Sequence, residues 1–317
     1  MRGMAGQVSS LDSRLPSGEW DRDAVRRALD DLFSLAKKYR ASKDYLDLLK
    51  FIAEFRFYSP FNAMLIHVQM PGARFVAPPH RWLRWGRRIK ANARPLVILQ
   101  PMGPVMFVFD VSDTEPEKGA PPLPREVERP FEVLRGEVGS VLERTIENAK
   151  RDGVLVADRE AGSQYAGEIR ATTKREFLTV LTRERPSPVY QQIPVRYELL
   201  LNSRLSREAK YATLVHELAH LYCGHLGTPN PKWWPDRRRI PADVREFEAE
   251  SVCYLVCSRL GIDNPSDAYL AGYVESNEET PPISLERVMA AAGLIEEMGR
   301  RRLKPRAEGG EGEETEQ

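Results

Sequence analysis

A His-Glu-Leu-Ala-His pattern at residues 216–220 constrains this chain more than any other feature. On an α-helix, His216 and His220 are four residues apart and project from one face, one turn above the other. Two imidazole nitrogens in that arrangement can bind a single Zn²⁺ at about 2.0–2.1 Å. Glu217 is rotated by about 100° from His216, so it can reach the open side of a metal and abstract a proton from bound water. The pattern predicts a hydrolytic zinc site; the alternative is a surface helix that happens to carry two histidines.

The stretch from Tyr211 to Tyr222 has the apolar spacing of an amphipathic helix. Its core-facing residues would be Tyr211, Leu214, Val215, Leu218 and Tyr222. Ser206 is a suitable N-cap residue, and Gly224 follows the last turn, where helices commonly end. Three of the five histidines of the chain fall within ten residues here, which favours a metal site over a chance occurrence.

A site with two histidines needs a further protein ligand, with water in the remaining position. The segment REFEAESVCYLVCSRLG supplies Glu246 and Glu250, which are four residues apart on a predicted helix. Glu246 would bind the metal, and Glu250 would hold the imidazole of a ligating histidine from outside. Glu248 points elsewhere and is the least suited of the three glutamates. Alternatively, these glutamates are ordinary exposed residues of a helix.

His225 competes with Glu246 for the role of third ligand. A three-histidine site of this kind needs the pattern HExxHxxGxxH, but Gly224 and His225 lie at other offsets. Cys253 and Cys257 share roughly the helical face of the glutamates. Cys253 lies ~10 Å along the axis from Glu246 at about 1.5 Å per residue, so a shared metal is not expected. We interpret both cysteines as small buried residues under the site.

Length and composition bound the class of protein. A chain of 317 residues suggests about two domains. The content of 42% hydrophobic and 29% charged residues is typical of a soluble globular protein, not of a disordered or membrane protein. The N-terminal sequence MRGMAGQVSS lacks the apolar core of a signal peptide. Three cysteines do not make a disulfide framework, so we expect a cytoplasmic protein.

The order of predicted elements indicates an α+β protein. A helical domain with a small sheet would span 19–115, and a second α+β domain would span 130–300. Residues 116–129 are rich in Pro and charge and predict a linker, and 301–317 read as a disordered acidic tail. Predicted helices cover Glu19–Tyr39, a segment beginning near Lys43, Asn62–Gln69 and Phe131–Asn148, and predicted strands cover Leu96–Leu99, Val105–Val111, Val154–Ala157, Gly167–Ala171 and Tyr197–Asn202.

The net charge of +1 hides an asymmetry, because residues 1–115 carry 18 Lys/Arg against 12 Asp/Glu. Within them, Arg74–Arg94 has seven basic residues, interleaved aromatic residues and no acidic residue. Cations that follow phosphates and aromatic faces that stack on bases suit single-stranded nucleic acid. The candidate contacts are Arg74, Arg81, Trp82, Arg84, Trp85, Arg87, Arg88, Lys90 and Arg94. Alternatively, Trp82, Trp85 and Ile89 are at helical spacing and belong to a core, with the arginines on a solvated face.

Two resemblances to known families follow from these residues. HELAH followed by EFEAESVCYLVCSRLG resembles the ImmA/IrrE family of zinc metallopeptidases, a gluzincin-like group that pairs HExxH with a downstream glutamate. The resemblance implies one Zn²⁺ bound by His216, His220 and Glu246, with Glu217 as general base, in a minimal zincin-like domain. The stretch YSPFNAMLIHVQMPGARFVAPPHRWLRWGRRIKANARPLVILQP resembles the single-stranded-DNA-binding domain of ArdC-type antirestriction proteins. It implies that residues 19–115 bind single-stranded DNA.

Two functions are therefore expected. The first is a zinc-dependent endopeptidase acting on a protein or peptide, coupled to single-stranded DNA binding or to regulation. The second is a DNA-binding antirestriction or regulatory protein in which the metal is mainly structural. A peptidase would also need a group that stabilises the oxyanion, for which Tyr222, Tyr269 and Tyr273 are weak candidates.

Overall fold

The computed structural model describes residues 39–100, 103–124, 127, 137–162 and 165–306. The predicted helix Glu19–Tyr39, the start of the predicted helix Phe131–Asn148 and most of the predicted acidic tail lie outside these ranges. The predicted α+β class is confirmed: helices and small sheets alternate along the described chain. Within the described residues, no helix combines the length and the apolar character needed to cross a membrane.

Two helices open the described chain. Helix α1 covers Ser42–Glu54 and buries the apolar residues that recur at helical spacing along it. Helix α2 covers Pro60–Gln69. The Ser59 hydroxyl accepts a hydrogen bond from the backbone N–H of Asn62 at 3.3 Å, and Pro60 occupies the first turn, so both N-terminal signals of a helix are present. Helix α2 begins two residues before the predicted start.

A small sheet follows, with a short helix between its first strands. The elements are β1 (Val76–Ala77), α3 (Pro79–Arg84), β2 (Arg87–Ile89), β3 (Leu96–Gln100), β4 (Gly103–Asp110) and β5 (Thr114–Pro116). Strand β4 pairs antiparallel with β1 and β3, and β2 pairs antiparallel with β5. The predicted strands Leu96–Leu99 and Val105–Val111 are thereby confirmed as β3 and β4, with strand ends shifted by one or two residues. Val127 and Leu123, from the predicted linker, pack on the hydrophobic cluster under this sheet.

The second sheet lies against the helix that carries the candidate metal-binding histidines. Helix α4 (Val141–Lys150) precedes β6 (Val154–Arg159), β7 (Gly167–Ala171), β8 (Phe177–Arg183), β9 (Val189–Pro194) and β10 (Tyr197–Asn202). The strand order is β6-β10-β7, with β10 parallel to β6 and antiparallel to β7. All three strands were predicted. The separate antiparallel hairpin of β8 and β9 was not.

Four helices complete the described chain: α5 (Arg207–Tyr222), α6 (Ala242–Leu260), α7 (Ser266–Ser276) and α8 (Leu285–Arg300). The predicted cap of α5 is confirmed, because the Ser206 hydroxyl accepts from the N–H of Ala209 at 3.2 Å. Gly224 follows the helix with φ +85°, and a Cβ there would lie 2.1 Å from the carbonyl oxygen of Pro235. Glycine is therefore required where the chain leaves the helix.

Helix α5 lies directly on strand β7. At Gly167 a Cβ would come within 2.6 Å of the Thr213 Cγ2 atom of α5. Glycine at this position permits the close approach of helix and strand. The approach brings the HExxH face of α5 next to the outer edge of β7.

One hydrophobic core joins the N-terminal helices to the helices that follow the second sheet. Arg259 of α6 is buried and ion-paired with Glu296 of α8. Its guanidinium also donates to the carbonyl oxygens of Ile52 at 2.6 Å, Phe55 at 3.0 Å and Tyr58 at 2.6 Å. The connection between α1 and α2 is therefore tied to α6 and α8. The division into domains 19–115 and 130–300 stays a prediction.

The first residues of the predicted tail pack on the fold. The Arg306 guanidinium donates to Asp152 at 2.8 Å, and Leu303 lies against the main core. Residues 301–306 thus include contacts to the fold, and the assignment of 301–317 as a disordered acidic tail stays a prediction. The acidic composition that motivated it is concentrated beyond residue 306.

Candidate metal centre

His216, His220 and Glu246 bring three donor atoms together. The Nε2 atoms of the two histidines are 3.2 Å apart. Glu246 Oε2 is 3.6 Å from Nε2 of His216, and Oε1 is 3.6 Å from Nε2 of His220. Ligands at about 2.0–2.1 Å from a tetrahedral ion are separated by about 3.3 Å. The triangle formed by the two imidazole nitrogens and the Glu246 carboxylate group has about this size, with each histidine nearest to a different oxygen of Glu246. The donor set fits a divalent metal ion.

The two helices create this triangle in the way that the spacing predicts. The histidines lie one turn apart on α5, and α6 packs against α5 with Glu246 facing them. The side chain of Glu246 is 52% exposed, whereas those of His216 and His220 are 21% and 14% exposed. The site is therefore anchored in the fold and open to solvent on the carboxylate side.

The electrostatic environment of the triangle is negative. Burial lowers the pKa of His216, but Glu246, Glu250 and Glu217 outweigh it and raise the pKa to about 9. The two imidazoles in turn hold the pKa of Glu246 well below its usual range. The carboxylates that attract a proton to His216 would also attract a metal cation.

Glu217 lies beside the triangle on the side of strand β7. Burial raises the pKa of its carboxyl group, opposed by His216, His220 and the backbone of Ile169, which stabilise the charged form. Ile169 is on β7, so Glu217 lies between the metal triangle and the edge of the sheet. A carboxylate with an elevated pKa is a better proton acceptor than an exposed glutamate.

Glu250 is near the opposite ring nitrogen of His216, with Oε1 3.7 Å from Nδ1. This placement is compatible with the predicted outer role of Glu250, although the distance exceeds that of a direct hydrogen bond. Cys253 and Cys257 are buried farther along α6, with sulfur atoms 4.0 Å apart. Both lie in the core, as the sequence predicts.

A second group of histidine and carboxylate lies behind the triangle. Nδ1 of His225 is 2.9 Å from Nδ1 of His220, and Nε2 of His225 is 2.9 Å from Oε2 of Glu248. His225 is therefore not a third corner of the metal triangle. The sequence did not predict this group, although Glu248 falls on the apolar face of α6, which is a signal for it.

Arg237 completes the buried group. Its guanidinium donates to both oxygens of Glu248, at 2.6 and 2.7 Å. Burial lowers the pKa of His225 and so favours its neutral form. Burial opposes ionisation of Glu248, but His225, Arg237 and the N–H of Ser284 outweigh it and lower its pKa. The group is thus a neutral imidazole joined to a buried ion pair.

The interpretation of Trp82 as a base-stacking residue is wrong, and the alternative core assignment is confirmed. Trp82 is fully buried, and its indole N–H donates to the carbonyl oxygen of Phe109 at 3.0 Å. Trp85 is partly buried against the same cluster, with its ring centroid 5.2 Å from that of Trp82. Ile89 packs there from strand β2. Helical spacing explains only part of this packing, since Ile89 lies on β2, beyond the end of α3.

The basic residues of this segment divide into two sets. Arg87 donates to the hydroxyl and carbonyl oxygens of Thr114, Arg88 pairs with Glu115 at 2.8 Å, and Lys90 donates to the carbonyl oxygen of Ser112. These three hold β2 against the β4–β5 segment. The remaining cations are exposed, and within the described residues no carboxylate forms an ion pair with them: Arg74, Arg81, Arg84 and Arg94.

Of the three tyrosines considered for the oxyanion, Tyr222 is excluded by its position. It is buried, and its hydroxyl donates to Asp152 at 2.9 Å. Tyr273 packs its ring on Phe247 at a centroid distance of 4.7 Å. Tyr269 is 40% exposed. Burial, followed by the charges of Glu250 and Glu246, raises the pKa of its hydroxyl. Tyr269 therefore stays the candidate of the three with an exposed side chain.

The segment that contains the metal triangle is similar to a known protein family. Residues 173–254, from before β8 to the middle of α6, match a described peptidase family. That family is Peptidase_M78, the IrrE N-terminal-like domain. The match contains all of His216, Glu217, His220, Glu246 and Glu250. The predicted peptidase-family resemblance is confirmed, over a range that lies within the predicted domain 130–300.

Similarity to individual proteins extends over more of the chain. An uncharacterized protein of Bacillus anthracis is 22% identical over 294 residues, covering 81% of this chain and 48% of the relative. The chain thus spans about half the length of that protein. Two solved structures of the antirestriction protein ArdC from plasmid R388, one metal-free and one with Mn(II), are 12% identical. They cover 77% of this chain and 83% of ArdC, with TM-scores of 0.31 and 0.33. ArdC was the second family that the sequence predicted.

Proposed function

We propose that the protein is a zinc-dependent endopeptidase in which His216, His220 and Glu246 hold one Zn²⁺ and Glu217 is the general base. The observation that carries the proposal is the donor triangle with edges of 3.2 and 3.6 Å beside a carboxylate of raised pKa. A structural zinc site is normally closed by four protein ligands. Here three donors face a partly open side, which favours a catalytic site.

Each residue around the metal has its own role in the proposed reaction. When bound, the ion would polarise a carbonyl group and lower the pKa of its water. Glu217 accepts the proton of the attacking water and returns it to the leaving amine. Glu250 faces Nδ1 of His216 and favours a proton on that nitrogen, which leaves Nε2 free as a ligand.

The position of strand β7 at the edge of its sheet favours a peptide as the substrate. In the antiparallel ladder with β10, residues 166 and 172 of this segment bond to Asn202 and Arg196. Ladder alternation therefore turns the backbone groups of Gly167, Ile169 and Ala171 to the other edge. Within the described chain no strand pairs with that edge. An extended peptide can add there as a further strand and run past Glu217.

We also propose that the protein works in the reducing environment of the cytoplasm, because of the state of its cysteines. All three cysteines are unpaired and buried. Their chemistry requires no oxidising compartment.

Substitution of Glu217 by Gln tests the enzyme assignment. The variant is expected to retain zinc and to lose at least about 100-fold in cleavage rate, since proton transfer typically contributes 10²–10⁴-fold. Because the substrate is unidentified, new N-termini are labelled and counted in a protein mixture incubated with the zinc-loaded chain. Glu208→Gln, an exposed change in the first turn of the same helix, is the matched control. Equal cleavage by wild type and Glu217→Gln would rule out the proposed mechanism.

A second candidate function is DNA binding in an antirestriction or regulatory protein with a mainly structural metal. The exposed arginines support it. Arg81 and Arg84 are three residues apart on α3 and both are exposed, with the Arg81 guanidinium 5.8 Å from the centroid of the Trp85 ring. Phe57, which packs on Phe75 from outside, is 51% exposed and could stack on a base.

Arg81→Gln with Arg84→Gln tests this candidate. Binding of a single-stranded oligonucleotide is expected to weaken, and the slope of log affinity against log salt is expected to fall by about 1–2. Arg88→Gln is the control, because Arg88 is already paired with Glu115. If the double variant binds as wild type does, the exposed arginines are only a solvated face.

A further inference from the structure

His225 is fixed behind a metal ligand by both its backbone and its side chain. Its backbone N–H donates to the carbonyl oxygen of His220 at 2.9 Å, in the turn that Gly224 makes at φ +85°. Its ring then lies against His220, Nδ1 to Nδ1 at 2.9 Å. The side chain of His225 is 1% exposed. Water is therefore not the partner of the inner nitrogen of His220.

The Nε2 side of the His225 ring is also fixed by a buried contact. Its Nε2 lies 2.9 Å from Glu248, whose side chain is 0% exposed. Glu248 receives two hydrogen bonds from Arg237 and one from the N–H of Ser284, at 2.6 Å. Arg237 in turn donates from Nη1 to the carbonyl oxygen of Cys223 at 3.1 Å. The chain of contacts returns to the end of α5, so it closes on the helix that carries the metal histidines.

This buried group is not itself a metal site. Cys223, His225 and Glu248 have donor atoms close enough together to surround an ion. However, the Arg237 guanidinium already neutralises Glu248 through both oxygens. A cation placed there would be repelled by the arginine and would have to break a buried ion pair.

Hydrogen-bond direction within the chain is fixed by what His220 must do. If Nε2 of His220 is a metal ligand, it carries no proton, so the proton of the neutral ring is on Nδ1. That N–H must donate to Nδ1 of His225, which is then the acceptor. His225 accordingly carries its own proton on Nε2 and donates it to Glu248. The reverse arrangement would put a proton on Nε2 of His220 and block the metal.

We propose that His225, backed by Glu248 and Arg237, is a positioning residue that fixes the orientation and tautomer of His220 for metal binding. The inference rests on the proposed metal site. It assigns the two ligating histidines different outer partners. His216 faces the carboxylate of Glu250 at its half-open side, whereas His220 faces a neutral imidazole that relays a buried carboxylate.

Two substitutions at His225 separate the acceptor from mere packing. His225→Leu fills the volume without an acceptor, and His225→Asn keeps a polar atom at the position of Nδ1. Zinc affinity of the full chain is measured by competition with a chromophoric chelator. His225→Leu is expected to weaken affinity by about 10–100-fold, and His225→Asn to remain within about threefold of wild type. Thermal unfolding of the metal-free variants checks that both are folded.

If His225→Leu does not fold, His225→Gln replaces it, because its longer amide reaches Glu248 and leaves no acceptor at the Nδ1 position. Ring ¹⁵N spectra of the zinc-loaded wild type provide a readout that no substitution perturbs. They are expected to show His220 protonated at Nδ1 and His225 protonated at Nε2. A proton on Nδ1 of His225 would overturn the inference.

The outcomes distinguish this inference from the proposed function. Wild-type affinity in the His225→Leu variant, together with loss of zinc in His216→Ala, would overturn the positioning role and leave the metal site intact. Absence of zinc binding in wild type would overturn both. Equal loss in His225→Leu and His225→Asn would show that an acceptor beside Nδ1 of His220 does not restore zinc binding, and it would also overturn the role.

Discussion

Two clusters of the same chemical type lie a few ångströms apart, and they have opposite properties. His216, His220 and Glu246 form one, and His225 and Glu248, with the nearby Cys223, form the other; each set has donor atoms mutually within 4.8 Å. The first is partly exposed, and the second is buried. The difference teaches that donor identity and spacing are not sufficient to define a metal site. The charge balance around the carboxylate also matters.

Arginine makes that difference. Glu248 has a bidentate guanidinium partner, so its charge is compensated inside the protein. Among the residues that the structure describes, the ion-pair partners of Glu246 are two imidazoles, each at 3.6 Å, and these compensate its charge only when they are protonated. In the first cluster a divalent cation can replace those protons. In the second cluster the charge of Glu248 is already compensated by Arg237, so no cation is needed. The role of the second cluster is to position His220 of the first.

Removal of Arg237 is expected to change the free energy of unfolding more than any other substitution that we predict. Arg237→Leu leaves the Glu248 carboxylate in the interior with a neutral imidazole as its remaining side-chain partner. Breaking a buried pair in this way typically destabilises a protein by about 3–5 kcal/mol. The free energy of unfolding of the metal-free chain in urea measures the loss.

Arg238→Leu is the matched control for that variant. Arg238 is the next residue, is exposed and pairs with Asp236 at the surface, and its substitution is expected to leave the unfolding curve unchanged, since surface pairs contribute little. If Arg237→Leu were as stable as Arg238→Leu, the two clusters would not differ in the way that burial implies.

Glu246→Gln is expected to have the converse effect in the exposed cluster. The amide keeps the size of the side chain but removes the charge that favours a cation, so zinc affinity should fall by more than the ~10–100-fold expected for loss of an outer partner. The side chain is about half exposed, so its interaction with the imidazoles is screened by solvent and the metal-free chain should lose at most about 1 kcal/mol of stability. Chelator competition and urea unfolding measure the two quantities on the same sample. Undiminished zinc binding would exclude Glu246 as a ligand.

The sequence predicted the exposed cluster because helical spacing alone determines most of it. His216 and His220 share a face of α5 by virtue of four residues of separation, and the same rule selects Glu246 and Glu250 on α6. It could not predict the buried cluster, because His225 and Arg237 lie in the connection between α5 and α6. No periodicity relates residues in an irregular connection to a helix face.

The misses elsewhere have similar physical causes. The hairpin of β8 and β9 exposes Phe177 and Tyr190 on one face, so its strands lack the regular pattern of buried residues that marks a strand in a sequence. Trp82 satisfies the composition expected of a nucleic-acid site, but its burial depends on Phe109, which is 27 residues away in the chain. Composition of a single segment cannot indicate a partner at that distance.

His67 extends the comparison to a histidine that is buried without a bonded carboxylate. It is 8% exposed, its Nδ1 has no hydrogen-bond partner within the described residues, and its ring packs on Phe51 at 4.6 Å. Burial lowers the pKa of His67 below its ordinary value of 6.5, with a small opposing effect from Asp47. His225, by contrast, is buried with an ionised partner.

The pH dependence of stability follows from the sign of that shift. Because the folded state of His67 binds its proton more weakly than the unfolded state, its contribution is present above pH ~6.5 and is lost as the pH falls through the folded pKa. The metal-free wild type should therefore lose more stability between pH 7.5 and 5.5 than His67→Leu does. Urea unfolding across this range, with the exposed His80→Leu as control, measures the difference. Parallel curves for wild type and His67→Leu would mean that folding does not lower the pKa of His67.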